Sequence, residues 1–187
     1  MKHPLEFIST AHRPVVFWSL FACTLLVMLI FNVIGQPLST PAAPSGIVSL
    51  ELAGSAEKTQ MILDSWDAQA QLLAAFGLGF DYLFMVIYAA TLGLACLWAR
   101  DSLEKHRWPL VQLGVPLAWA ALAAALLDAA ENVGLLWQLV FGPADSWARI
   151  AQLCAWAKFG IIFLALVFAF YAIALQLVGR LSRQPGQ

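Results

Sequence analysis

Four apolar stretches, 15–34, 80–99, 110–140 and 150–178, are each long enough to cross a bilayer core of roughly 30 Å, which takes about 20 helical residues. Nothing else in the chain constrains the fold so tightly. Lipid offers no partner to backbone N–H and C=O groups, so a chain with four such runs must pair them inside helices. The fold class is therefore all-α, an integral membrane four-helix bundle, with residues 1–187 forming one transmembrane domain. Composition agrees, at 61% hydrophobic and 11% charged residues, against roughly 45–50% and about 25% in soluble domains. A formal net charge of -1 gives no basic surface, and no nucleic-acid partner is expected.

The first run follows Lys2, His3, His12 and Arg13, as a signal peptide would. It exceeds the usual ~7–15-residue apolar core of such peptides, and QPLSTPAAP makes a poor cleavage site, so it reads as a signal anchor. Lys2 and Arg13, then Arg100, Lys105 and Arg107, then Arg180 and Arg183 fall on one side of the four spans, with only Lys58 and Arg149 opposite. The positive-inside rule then predicts a multi-pass protein of the plasma (cell inner) membrane with both termini cytoplasmic. Trp18, Trp98 and Trp108 would mark the inner interface, and Trp66 and Trp147 the outer one.

Between the first two spans lies an outer segment, 36–79. Its proline-rich start, QPLSTPAAPSG, reads as irregular chain. Met61, Ile62, Trp66, Leu72, Leu73 and Phe76 then recur at helical intervals without a breaker, predicting an interfacial helix that turns at Gly77 or Gly79 into the second span. In the tail 181–187, the low-complexity end 183–187 reads as disordered. Ala118, Ala121, Ala125 and Ala129, with Ala89 and Gly93, have the small-residue spacing that lets membrane helices approach closely. Cys23, Cys96 and Cys154 show no CxxC spacing and read as packing residues.

Polar residues inside the spans point to a site, because an ionisable group in lipid costs at least ~2.5–3.5 kcal/mol unless it is paired or used. Asp81 lies 19 positions from Arg100, Asp128 lies 20 from Trp108, and Lys158 lies 22 from Arg180. Helix rise places all three roughly 28–33 Å from the inner interface. Glu131 and Asn132 share a face with Asp128 through i, i+3 and i+4 stacking. Asp81, Asp128, Glu131, Asn132 and Lys158 are thus expected to meet near the outer face. Three carboxylates on one ammonium cannot all stay ionised in a poorly screened place, so one should hold a proton or a cation.

Such a cluster can be a register lock, or it can handle a ligand that is amphipathic or cationic, a lipid, or a partner subunit. Phe80, Tyr82, Trp137 and Trp156 are candidates for the wall of a pocket there. General acid–base chemistry on a lipid or isoprenoid is a second reading. A cation- or proton-coupled carrier using Asp81 and Asp128 is a third, opposed by a path toward the cytoplasm that continues only through Tyr88 and Thr91. A structural accessory subunit, alone or as a homo-oligomer, is a fourth. His3, His12 and His106 lie on the other side, which argues against zinc or Ser-His chemistry, and neither metal nor cofactor is expected. Gly77-Leu78-Gly79-Phe80-Asp81 departs by one residue from the GxGD element of intramembrane aspartyl proteases, and four spans are too few for that family.

Leu127-Asp128-Ala129-Ala130-Glu131-Asn132, with an Asp opening the preceding span and a Lys in the next, resembles a helix motif, L-D-x-x-E-N, of small four-span bacterial membrane proteins. The resemblance covers the second to fourth spans and implies a four-helix membrane fold. It brings no activity with it.

Overall fold

The computed structural model describes residues 3–181, all of whose regular elements are helical; the tail 182–187 lies outside them. Four long helices dominate: α1 (Arg13–Gly35), α4 (Ala68–Lys105), α5 (Gly114–Phe141) and α6 (Asp145–Leu181). Two short ones, α2 (Ile47–Glu51) and α3 (Ala56–Asp64), lie between the first two long helices. All four long helices contain windows apolar enough to cross a membrane.

Successive long helices run antiparallel. Thr24 Oγ1 meets Thr91 Oγ1 at 3.1 Å midway along α1 and α4, while Phe31 packs on Phe80 and Phe84 nearer one end. Tyr88 of α4 reaches Asp128 of α5, and Asp128 reaches Lys158 of α6. The start of α1, the end of α6 and the α4–α5 turn therefore share one end of the bundle, the terminal end. Helices α2 and α3 and the α5–α6 turn form a cap at the other.

Small residues set how close the helices come. A Cβ on Gly93 would sit 3.5 Å from the Ala118 carbonyl oxygen, and Ala118, Ala121 and Ala165 are wholly buried. At the terminal end they pack with Leu97, Leu103 and Phe168. At the cap end Leu50, Ile62, Leu63 and Trp66 pack on Ala74, Leu78, Leu135 and Ala151, so the cap has a core continuous with the spans. The Trp66 indole N–H donates to the Leu38 carbonyl at 2.9 Å, and Gln152 of α6 donates to Leu52 O at 2.9 Å. The Ala56 N–H donates to Asp145 Oδ1 at 2.8 Å, tying α3 to the start of α6.

The segment before the second span differs from its expected form. The interfacial helix ends at Asp64, and a new helix starts at Ala68, where Asp67 accepts the Ala70 N–H at 2.7 Å as an N-cap. That helix then runs through Gly77 and Gly79 without a turn. A capping aspartate supplies an acceptor for an orphan helix N–H, which decides a helix start more firmly than a glycine decides a stop. The second span is consequently the upper part of a 38-residue helix, about 57 Å long at 1.5 Å per residue.

Candidate functional site

Where the cap core meets the spans, the polar residues of α5 turn inward. Asp128, Glu131 and Asn132 occupy successive positions of one face, and the ammonium of Lys158 sits against that face from α6. Lys158 Nζ lies 2.7 Å from Asp128 Oδ1, 3.1 Å from Glu131 Oε1 and 3.0 Å from Glu131 Oε2. Tyr88 donates its hydroxyl proton to the other Asp128 oxygen at 2.9 Å. Exposure is 3% for Asp128, 0% for Glu131, 1% for Asn132 and 5% for Lys158, so the cluster is closed to bulk solvent.

Asp81 does not reach the lysine. Its Oδ2 accepts from Asn132 Nδ2 at 2.7 Å, and the same amide lies 3.4 Å from Leu78 O. Asn132 thus joins the α4 carboxylate to the α5 face, and Asp81 makes no ion pair of its own among the described residues.

A fourth carboxylate, unforeseen from the sequence, comes from the cap. Glu51, the last residue of α2, is 9% exposed and places Oε2 3.8 Å from Lys158 Nζ. Burial raises its carboxyl above the usual glutamate range, Lys158 pulls it back, and Asp128 pushes it up. Glu51 Oε2 accepts no hydrogen bond among the described residues. Three carboxylates around one ammonium exceed its charge, so a proton held by one of them relieves their repulsion. The signal for Glu51 was an acid flanked by Leu50 and Leu52 in an otherwise apolar stretch, in a segment too short to show periodicity.

The four candidate wall aromatics do not surround the cluster. Phe80 stacks between Phe31 and Phe76 toward α1. Tyr82 is 38% exposed, with its hydroxyl 3.3 Å from Ala129 O. Trp137 packs on Phe141 and Trp147 and is 43% exposed. Trp156 is 63% exposed, because two residues of helix turn it by about 200° from Lys158.

A second charged network closes the terminal end. Arg100 Nη1 donates to Glu6 Oε1 at 2.6 Å, its other N–H groups reach Asp101 Oδ1 at 3.0 and 3.2 Å, and Arg13 pairs with Asp101 Oδ2. These bonds hold the short helical turn Pro4–Phe7 and the start of α1 onto α4. His3 packs edge-on against Trp119, where burial lowers its imidazole below the usual histidine range. Beside this network is a cleft of about 390 Å³ lined by Trp98, Lys105, Trp108 and Gln176 among others.

No protein-family model matches the chain, and no curated protein or solved structure is similar to it.

Proposed function

We propose that the chain is a multi-pass protein of the plasma membrane whose cluster binds a proton and uses it to clamp the cap onto the spans, so that cap docking responds to pH. The observation that carries this reading is Glu51. It is the carboxylate of the cluster that belongs to the cap, and its Oε2 lies 3.8 Å from the Lys158 ammonium of the spans. A cationic ligand would need the place that Lys158 fills, and a substrate would need access to Asp128, Glu131 and Lys158, which are 5% exposed or less. The surplus of acid is suited instead to the smallest cation, which requires no cavity.

Charge distribution supports a cytoplasmic terminal end and an external cap: Arg13, Arg100, Lys105 and Arg107 lie at the terminal end, against Lys58 and Arg149 at the cap end. The clamp would then read the pH outside the cell.

The sign follows from proton linkage. Glu51 faces Asp128 and Glu131 of α5 and Lys158 of α6, and it acts on Asp81 of α4. Its raised carboxyl means that the docked cap binds more protons than the undocked one, so docking is strongest below the ordinary glutamate range near ~4.3. Docking weakens as pH rises through the raised value, where Glu51 ionises against carboxylates that share one ammonium.

The test is hydrogen exchange across residues 47–66 from about pH 5 to about pH 9, corrected for intrinsic rates, in wild type and Glu51→Gln. Protection in the wild type should fall as pH rises. In the variant, whose amide is neutral throughout, it should stay flat. Wild-type protection independent of pH, or an unchanged dependence in Glu51→Gln, would sink the reading.

A further inference from the structure

The cleft at the terminal end lies far from the lysine and carboxylate cluster and is independent of its role. Thr10 forms one edge; Trp98, Asp101, Ser102, Lys105 and His106 come from the last turns of α4; and Trp108, Gln176 and Gly179 complete it.

Its polar groups are unevenly committed. Both oxygens of Asp101, the only carboxylate among the described lining residues, are taken by Arg13 and Arg100, and Arg100 also holds Glu6. Lys105, by contrast, is exposed and has no ion pair among the described residues, and the side chains of Thr10, Ser102 and Gln176 make no hydrogen bond among them. The last turn of α4 does not present a bare negative end either. The Leu103 carbonyl accepts the Trp108 N–H at 2.9 Å, and Glu104 O accepts the Arg107 N–H at 3.0 Å. What remains is a set of uncommitted hydroxyl and amide groups, each able to donate, with one positive charge over.

The walls are of the opposite character. The Trp98 ring packs edge-on against Phe17 of α1, and Trp108 lies under Gly179, where a Cβ would come within 3.3 Å of the indole. Along α4 the apolar run ends at Ala99 and charges begin at Arg100, so the cleft stands at the level where hydrocarbon gives way to headgroups.

We infer that this cleft is a binding site for the phosphodiester of an anionic glycerolipid, with Lys105 pairing the phosphate, Ser102, Thr10 and Gln176 donating to its oxygens, and the two tryptophans flanking the glycerol. A zwitterionic headgroup would leave Lys105 opposed by its own cation and is the weaker ligand. Basic interfacial pockets between spans recognise anionic lipids through this combination of charge and apolar wall.

The experiment is native mass spectrometry of the full chain in mild detergent, titrated separately with phosphatidylglycerol, phosphatidylcholine and inorganic phosphate. Wild type should retain phosphatidylglycerol over phosphatidylcholine. Retention should fall about fivefold in Lys105→Gln, the weight of one interfacial lysine, and stay unchanged in Lys58→Gln on the cap. Circular dichroism of Lys105→Gln serves as the folding control. Equal retention of the two lipids by wild type, or undiminished retention in Lys105→Gln, overturns the site. Lys105-dependent binding of inorganic phosphate with no lipid preference overturns the lipid and assigns the phosphate to a soluble source.

Discussion

A single ammonium organises the polar centre of this bundle. Lys158 touches Asp128 and Glu131 directly and Glu51 at longer range, and each of these groups is nine-tenths or more buried. Buried pairs are costly to break because the surviving charge has no solvent to return to. Lys158→Met should therefore lower stability in detergent by about 3–5 kcal/mol. The exposed Lys58→Met should change it by no more than about 0.5 kcal/mol. Thermal midpoints that agree between the two variants would show that the ammonium is not what holds the carboxylates. The deficit in Lys158→Met should also shrink at low pH, as the orphaned carboxylates take up protons in place of the lysine.

At the scale of helices, two glycines separate propensity from packing. Gly79 lies within α4, and a Cβ there meets nothing within 4 Å. Gly114 opens α5 against α4, and a Cβ there collides with the Arg100 Cβ and comes 3.1 Å from the Cys96 carbonyl. Gly79→Ala should keep or raise the melting temperature, with a gain of up to ~1 kcal/mol from helix propensity, whereas Gly114→Ala should lower it by prising α5 from α4. A fall of equal size in both would mean that Gly79 serves as a hinge. The four spans were legible because each must satisfy its backbone internally, which writes a long apolar run into the sequence. The meeting of Asp128, Glu131 and Lys158 was legible from helix periodicity and depth. Depth along a helix leaves the angular direction of a side chain open, which is why the sequence brings Asp81 to the cluster without showing that its partner there is Asn132. The same angular reckoning would have turned Trp156 away from the site. Glu51 escaped because its position depends on a five-residue helix held by tertiary contacts, and a segment that short carries no periodic signal.

The whole molecule is a tall bundle with one closed polar centre near the cap and one half-open cleft at the opposite end. Its orientation can be read directly after replacing Cys23, Cys96 and Cys154 by serine. Met61→Cys, 59% exposed on α3, should react with an impermeant maleimide on intact cells. Glu104→Cys, at the exposed end of α4, should react only after permeabilisation. The reverse pattern would invert the topology. The order of the cluster along the chain has a further consequence, for biosynthesis. Glu51, Asp81, Asp128 and Glu131 all leave the ribosome before the lysine that neutralises them. When α5 first reaches the translocon its two acids each carry an insertion penalty of the order of 2.5–3.5 kcal/mol, with no counterion yet made. The third span is thus a poor substrate for insertion by itself. Insertion as a hairpin with the fourth would supply the counterion, and the 27 positions from Glu131 to Lys158 set how long the nascent chain must wait.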